Sequence, residues 1–265
     1  MDLILLYKAF ILGIVEGVTE FLPISSTGHL IIVGDLLNFN DNKGKIFEIV
    51  IQLGAILAVC FEFRQRLINT VTHITNEASS QRFVINLMIS FMPAALLGLL
   101  FHAQIKTYLF SPITVAIALI VGGFAILIIE KYTTYSATQQ IEAITKTQAL
   151  KIGLAQSLAL VPGVSRSGAT ILGGMVFGLS RQTATEFSFF LAIPIMFAAT
   201  GYDLLKSWQL LTMADFPLFA VGFITAFLSA LLVIKILIKY VANHDFTVFA
   251  WYRIVFGVAV LCYFW

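Results

Sequence analysis

Charge is scarce in this chain. Of 265 residues, 16 are Lys or Arg and 14 are Asp or Glu, 11% in all, where a soluble domain carries about a quarter. So few charges cannot coat a water-soluble protein of this size. They exclude a soluble globular enzyme, a disordered chain and a nucleic-acid binder, whose basic surface needs far more charge. Cysteine is nearly absent too. Cys60 and Cys262 both sit in apolar runs, which argues against a disulfide framework or a cysteine metal site. The net charge of +2 says little about partners. What fills the chain is apolar: 59% of it is hydrophobic. It reads as an integral membrane protein.

A membrane helix needs about 20 apolar residues. Six runs qualify, at 46–62, 84–102, 112–130, 187–205, 216–236 and 246–264. They are continuous rather than alternating, which favours helices over a barrel. Two further apolar stretches, 9–37 and 152–179, each carry a polar knot in the middle, Pro23-Ile-Ser-Ser-Thr-Gly-His29 and Pro162-Gly-Val-Ser-Arg-Ser-Gly168. Proline and glycine break a continuous helix there, and the freed backbone groups must face protein or a wet cavity. Each stretch is expected to be a re-entrant helical hairpin; two ordinary short spans per stretch is the alternative. Trp208, Trp251 and Trp265 are candidate interface anchors.

This topology places the loops at 63–83, 131–151, 180–186 and 236–245 on one side. Counted with the span ends, that side holds nine basic residues: Arg64, Arg66, Arg82, Lys131, Lys146, Lys151, Arg181, Lys235 and Lys239. The other side holds five: Lys8, Lys43, Lys45, Lys106 and Lys206. The positive-inside rule then puts both termini outside. Met1-Asp2 lacks a basic leader, so a cleavable signal is not expected.

The two knotted stretches also resemble each other. At an offset of 140, Gly13, Ser25, Gly28, Ile31 and Gly34 are identical to Gly153, Ser165, Gly168, Ile171 and Gly174. Three spans follow each stretch, and an odd number inverts the second copy relative to the first. The expected fold is therefore an all-α integral membrane protein, a single polytopic domain over residues 1–265. Six transmembrane helices and two re-entrant hairpins would form an inverted-topology repeat, one copy over about 1–130 and the other over about 151–265. Such repeats bring broken helices together near the midplane, where sites form. Transporters and enzymes can both use that plan.

The knots hold the candidate chemistry. Glu16 and Glu20 lie four apart on one helix face; they are either solvated at the interface or share a cation or proton in a cavity. Ser26 and His29 are three apart, so in a helix the imidazole can approach the hydroxyl and activate it. A capping serine is the plain reading of the same spacing. Arg166 stands among Gly163, Ser165, Ser167, Gly168 and Thr170 at the start of an apolar helix, a composition suited to an anion: glycines admit it, helix-start amides point at it and the guanidinium binds it. Arg166 needs an anionic partner, Glu16 or Glu20 or a ligand. Together these groups suit phosphoryl transfer on a lipid phosphate. Glu48 and Glu186 open the first span after each knot and line the cavity or meet the interface. His73, His102 and His244 read as bystanders.

The segments Glu16-Gly-Val-Thr-Glu-Phe-Leu-Pro-Ile-Ser-Ser-Thr-Gly-His29 and Pro162-Gly-Val-Ser-Arg-Ser-Gly-Ala-Thr170 resemble the two signatures of the bacterial undecaprenyl-diphosphatase, or bacitracin-resistance, family. The likeness runs over essentially the whole chain, including Glu186-Phe-Ser-Phe-Phe-Leu-Ala-Ile-Pro194. It implies hydrolysis of undecaprenyl diphosphate to undecaprenyl phosphate and inorganic phosphate, with a divalent cation (Mg or Ca), at the outer, periplasmic face of the bacterial inner membrane. It also implies a part in peptidoglycan synthesis and bacitracin resistance.

By the same resemblance, Ser26 is the nucleophile with His29 as its acid or base partner, although water activated by His29, or Glu20 as base, stays open. Glu16 and Glu20 serve the cation and protons. Arg166, with Ser165, Ser167, Thr170, Gly163, Gly168, Ser25 and Thr27, holds the diphosphate. Membrane lipid and a second copy of the chain are the expected partners besides substrate. The other lipid-phosphatase plan, the PAP2 type, fails on spacing, because no suitable histidine follows Arg166. A transporter or lipid flippase is the remaining alternative.

Overall fold

The computed structural model describes residues 3–39, 42–133, 136–207 and 215–265. Along these residues run α1 (Leu3–Thr19), α2 (Ser26–Leu36), α3 (Asn42–Glu62), α4 (Arg64–His73), α5 (Ala78–Tyr108) and α6 (Pro112–Tyr132). They are followed by α7 (Lys146–Ser157), α8 (Arg166–Val176), α9 (Arg181–Ser207), α10 (Phe216–Val241) and α11 (Thr247–Phe264). Among the described residues there is no strand, only an isolated bridge between Thr138 and Leu179. The protein is an all-α membrane protein. Helices α5, α6, α9, α10 and α11 are each long and apolar enough to cross a bilayer, and α3 joins them if it is taken with α4, from which it bends by 71°. Each expected span lies within one of these helices, the last with Phe246 as N-cap of α11.

The polar stretches between spans are more ordered than their composition suggests. Residues 64–82 form α4 and the first turn of α5 rather than an open loop. Arg66 pairs with Glu142, and its guanidinium lies over the rings of Phe83 and Phe190 at 5.1 and 5.3 Å. Thr138 exchanges backbone bonds with Gly178 and Ser180. Arg181 donates to Glu130, whose Oε1 also accepts the Phe246 amide at 2.9 Å. These contacts tie the four loops expected on one side into one polar cap.

Both knots are breaks, placed where proline and glycine predict. The first helix stops at Thr19, and the chain turns through Pro23 to Ser25, which has a φ of 69°. The second turns through Pro162 and Gly163 to Ser165, with a φ of 74°. Helices α2 and α8 restart at the next residue, and each is 11 residues long. At 1.5 Å per residue that is about 16 Å, half the hydrocarbon thickness. Neither can serve as an ordinary span.

Close helix contacts pair the two halves. Gly13 and Gly17 of α1 press on α10: a Cβ at Gly13 would stand 2.6 Å from the Gly222 carbonyl, and one at Gly17 2.7 Å from the Ala230 amide. Gly153 of α7 sits likewise against α5, 2.5 Å from the Ser90 carbonyl. Helices α6 and α11 meet through Gly123 and Gly257. Small residues allow this approach in lipid, where packing must replace the hydrophobic effect. Exchanging the halves maps the α1–α10 contact onto α7–α5 and leaves α6–α11 and α3–α9 unchanged. Trp251 and Trp265 are exposed, while Trp208 lies outside the described residues.

Candidate active site

The two breaks meet, and their polar side chains form one cluster. Glu20 follows α1 and faces both partners. Its Oε2 accepts the Ser26 hydroxyl at 2.5 Å, and its Oε1 accepts Arg166 Nη2 at 3.0 Å. Arg166 also donates from Nη1 to the Ser188 carbonyl at 3.2 Å, and its guanidinium lies 5.6 Å from the centre of the Phe21 ring. Phe21 is fully buried and packs edge-on against Phe189. Ser188 and Phe189, from the middle of the 186–194 stretch, thus form the wall behind Arg166. Of the polar donors on that guanidinium, Nε alone is buried without a partner.

Glu16 lies one turn before Glu20, fully buried in α1, with neither carboxylate oxygen hydrogen-bonded. It feels the charges of Glu20, Glu48 and Arg166. Interfacial solvation is ruled out for Glu16 by this burial. Two carboxylates close together, one of them with both oxygens free, fit a hard cation that shares its remaining positions with water or phosphate oxygens. They do not form a closed protein cage: among the described residues, no group of three His, Cys, Asp or Glu side chains is placed to hold a metal.

Other expected site residues have different duties. His29 is not a partner of Ser26. Its Nδ1 donates to the Ser25 carbonyl at 2.7 Å, and its Nε2 accepts from the Tyr252 hydroxyl at 2.6 Å. The ring stacks on Phe256 at 4.2 Å. The imidazole therefore faces α11 and folds back along its own turn, leaving Ser26 to Glu20. The hydroxyl of Ser167, fully buried, donates to the Leu22 carbonyl at 2.7 Å and bonds Ser165. That of Thr170 donates to the Arg166 carbonyl and bonds Ser188. The Gly168 amide is capped by Ser165 Oγ at 3.1 Å. Gly163 has a φ of 93° and touches α6 so closely that a Cβ would be 2.5 Å from the Val115 carbonyl. Ser167 thus ties the second break to the first, Thr170 ties α8 to α9, Gly163 lets the second break approach α6, and Gly168 takes the Ser165 cap; Arg166 keeps one buried donor, Nε, without a protein partner.

Glu186 is turned away from the cluster. It accepts from Gln182 and lines a polar cavity of about 380 Å³ with Arg66 and Glu142. His73 and His244 bond their own turns, in exposed positions; the His102 side chain lies outside the described set. One residue of the cluster escapes sequence reasoning altogether. Arg253 of α11 is 1% exposed and donates to carbonyls of both breaks. Its signal was a lone arginine inside the apolar run 246–264.

The family model described as bacitracin resistance protein BacA matches residues 9–259. Curated relatives cover nearly the whole chain. The undecaprenyl-diphosphatase of Methylobacillus flagellatus is 66% identical over 270 residues, all of both proteins. That of Nitrosospira multiformis is 61% identical over 98% of this chain and 96% of its own length. That of Laribacter hongkongensis is 58% identical over 100% and 97%. With that coverage, and with both broken-helix motifs meeting in one cluster, the chain belongs to the bacitracin resistance protein BacA family.

Proposed function

We infer that this protein hydrolyses undecaprenyl diphosphate to undecaprenyl phosphate and inorganic phosphate. The relatives' names support the reaction, and none of those reported names a transporter. One observation carries the mechanism: Glu20 holds the Ser26 hydroxyl and the Arg166 guanidinium on its two oxygens, across the two breaks.

Glu20 takes the Ser26 proton as Oγ attacks the terminal phosphorus. The new Ser–O–P bond forms as the bridging P–O bond breaks, and undecaprenyl phosphate leaves with the bridging oxygen. Water then cleaves the phosphoserine, with Glu20 assisting and returning a proton to Ser26. Arg166, with Nε free of protein partners, meets the charge developing on the phosphoryl oxygens. Glu16 and Glu20 would hold a divalent cation that supplies further charge neutralisation on the diphosphate.

Two features of setting belong to the same reading. The halves form an inverted-topology repeat, a reading supported by the equivalence of the α1–α10 and α7–α5 contacts and the matching φ of Ser25 and Ser165. The polar cap that gathers Arg66, Arg181 and Lys131 is the cytoplasmic side of the bacterial inner membrane, and the prenyl tail reaches the cluster from lipid with the site open to the periplasmic side.

The test is phosphate release from undecaprenyl diphosphate by purified protein in detergent. Release that Ser26→Ala, Glu20→Gln and Arg166→Ala each abolish supports the mechanism. Release that survives Ser26→Ala but not Arg166→Ala keeps the reaction and makes water the nucleophile. A folded wild-type protein that releases no phosphate overturns the function.

A further inference from the structure

Arg253 is buried in the membrane interior with every donor bonded. A guanidinium has five N–H donors and no acceptor. Here all five carbonyl contacts are made: Nε to Leu119 at 3.3 Å, Nη1 to Pro23 at 3.1 Å and Val164 at 2.9 Å, and Nη2 to Ala118 at 3.1 Å and Gly163 at 2.9 Å. No carboxylate is among these partners, so Arg253 is not half of an ion pair. Nor has it a donor left for a phosphate, so it is not a second anion-binding arginine.

Its acceptors explain its place. Pro23 lies in the first break, three residues before Ser26. Gly163 and Val164 lie in the second, immediately before Ser165 and Arg166. Helix interruption leaves turn carbonyls without helical partners, and burying them unpaired in a membrane protein is costly. One planar group satisfies a carbonyl of the first turn and two of the second, and anchors both to α6. The fork is rigid, so the separation of the turns is set by the spacing of its own nitrogens. The room for it is built in: a Cβ at Gly122 of α6 would overlap Nη2 and come within 2.5 Å of Cζ.

We propose that Arg253 is a positioning residue for the phosphatase reaction, a clamp that fixes the turn bearing Ser26 against the turn bearing Arg166 without touching substrate. The proposal rests on the proposed function. Nucleophile and anion-holding group come from different turns, so their relative placement decides how well the transition state is met. An error of about 1 Å in such placement costs on the order of a hundredfold in rate. Ground-state capture of a long apolar lipid depends far less on that placement, so the effect falls on kcat rather than KM.

Two variants test this by different routes. Arg253→Lys keeps the charge but replaces the fork with one ammonium that cannot reach both turns and α6 together. Gly122→Ala leaves Arg253 in the chain and displaces its guanidinium. Both are measured for kcat and KM in undecaprenyl diphosphate hydrolysis, beside detergent melting curves and gel filtration of the same preparations. The expected result is folded protein in at least one variant, with kcat down by about 10- to 100-fold and KM within about threefold of wild type. Unchanged kcat in a folded variant overturns the proposal. So does a rise in KM at constant kcat, which would make Arg253 a binding residue. Loss of folded protein in both variants overturns it too, since the clamp would then serve the fold and not the turnover. A wild-type preparation without activity would instead sink the function, and the two failures are thereby distinguished.

Discussion

Ser26 and Glu20 are joined by a 2.5 Å hydrogen bond across a helix break, six residues apart with Pro23 between them. Because Glu20 also pairs with Arg166, the carboxylate, the hydroxyl and the guanidinium form one unit. Glu20→Gln preserves the volume and can still hydrogen-bond Ser26, but an amide cannot take the proton. Phosphate release should fall by about 10²- to 10⁴-fold, the range of a lost general base. The double variant Glu20→Gln/Ser26→Ala should be scarcely slower than Ser26→Ala, since both act in one step. Additive losses in that cycle would place Glu20 outside the step.

His29 makes a contrasting case. With its Nδ1 on the Ser25 carbonyl and Nε2 on Tyr252, it holds the turn rather than the Ser26 hydroxyl. His29→Asn and Tyr252→Phe should each slow hydrolysis by about tenfold or less, well short of Ser26→Ala, because positioning groups contribute only part of what a proton acceptor does. If His29→Asn proves as severe as Ser26→Ala in folded protein, the imidazole is the base after all.

The difference between Glu20 and His29 shows where sequence reasoning reached and where it stopped. Proline and glycine at 23, 162 and 163 marked the breaks, because their effect on a helix is local and needs no partner. The long apolar runs marked the spans for the same reason. Pairings across a break obey no period. Ser26 and His29 share a helix face, yet the imidazole bonds backward to the carbonyl four residues earlier, and the carboxylate beside Ser26 comes from the other side of the turn. Ser167 and Thr170 look like anion ligands by composition, whereas their hydroxyls are consumed by carbonyls and Ser188. Arg253 is the extreme example. Its partners are backbone carbonyls, which carry no residue identity, so nothing in the sequence names them.

The α1–α10 contact should govern stability. A Cβ at Gly17 would overlap the Ser229 hydroxyl and stand 2.7 Å from the Ala230 amide, so Gly17→Ala forces the helices apart. Overpacking of this kind costs about 1–3 kcal/mol. Gly201→Ala in α9 is the control, because its Cβ would meet nothing within 4 Å. Gly17→Ala should lower the detergent melting temperature by several degrees while Gly201→Ala leaves it unchanged or slightly higher. Equal melting curves would mean that α1 and α10 can separate without loss.

Glu16 offers a prediction in which stability and cation dependence move in opposite directions. Its two oxygens are buried without a hydrogen-bond partner, and an unpartnered carboxylate in that setting destabilises the protein that carries it. Glu16→Gln removes the acid and keeps the shape, so in chelator the variant should melt at a higher temperature than wild type. A cation bound between Glu16 and Glu20 would stabilise the wild-type protein by binding only its folded form. Adding Mg²⁺ or Ca²⁺ should therefore raise the wild-type melting temperature and leave that of Glu16→Gln nearly unmoved. The ordering of the two proteins should narrow or reverse as the ion is titrated, and chelator should suppress wild-type hydrolysis. Equal cation shifts in the two proteins would place the ion elsewhere. A Glu16→Gln protein that melts below wild type in chelator would show that the carboxylate is not an uncompensated charge, and the cation reading would fall with it.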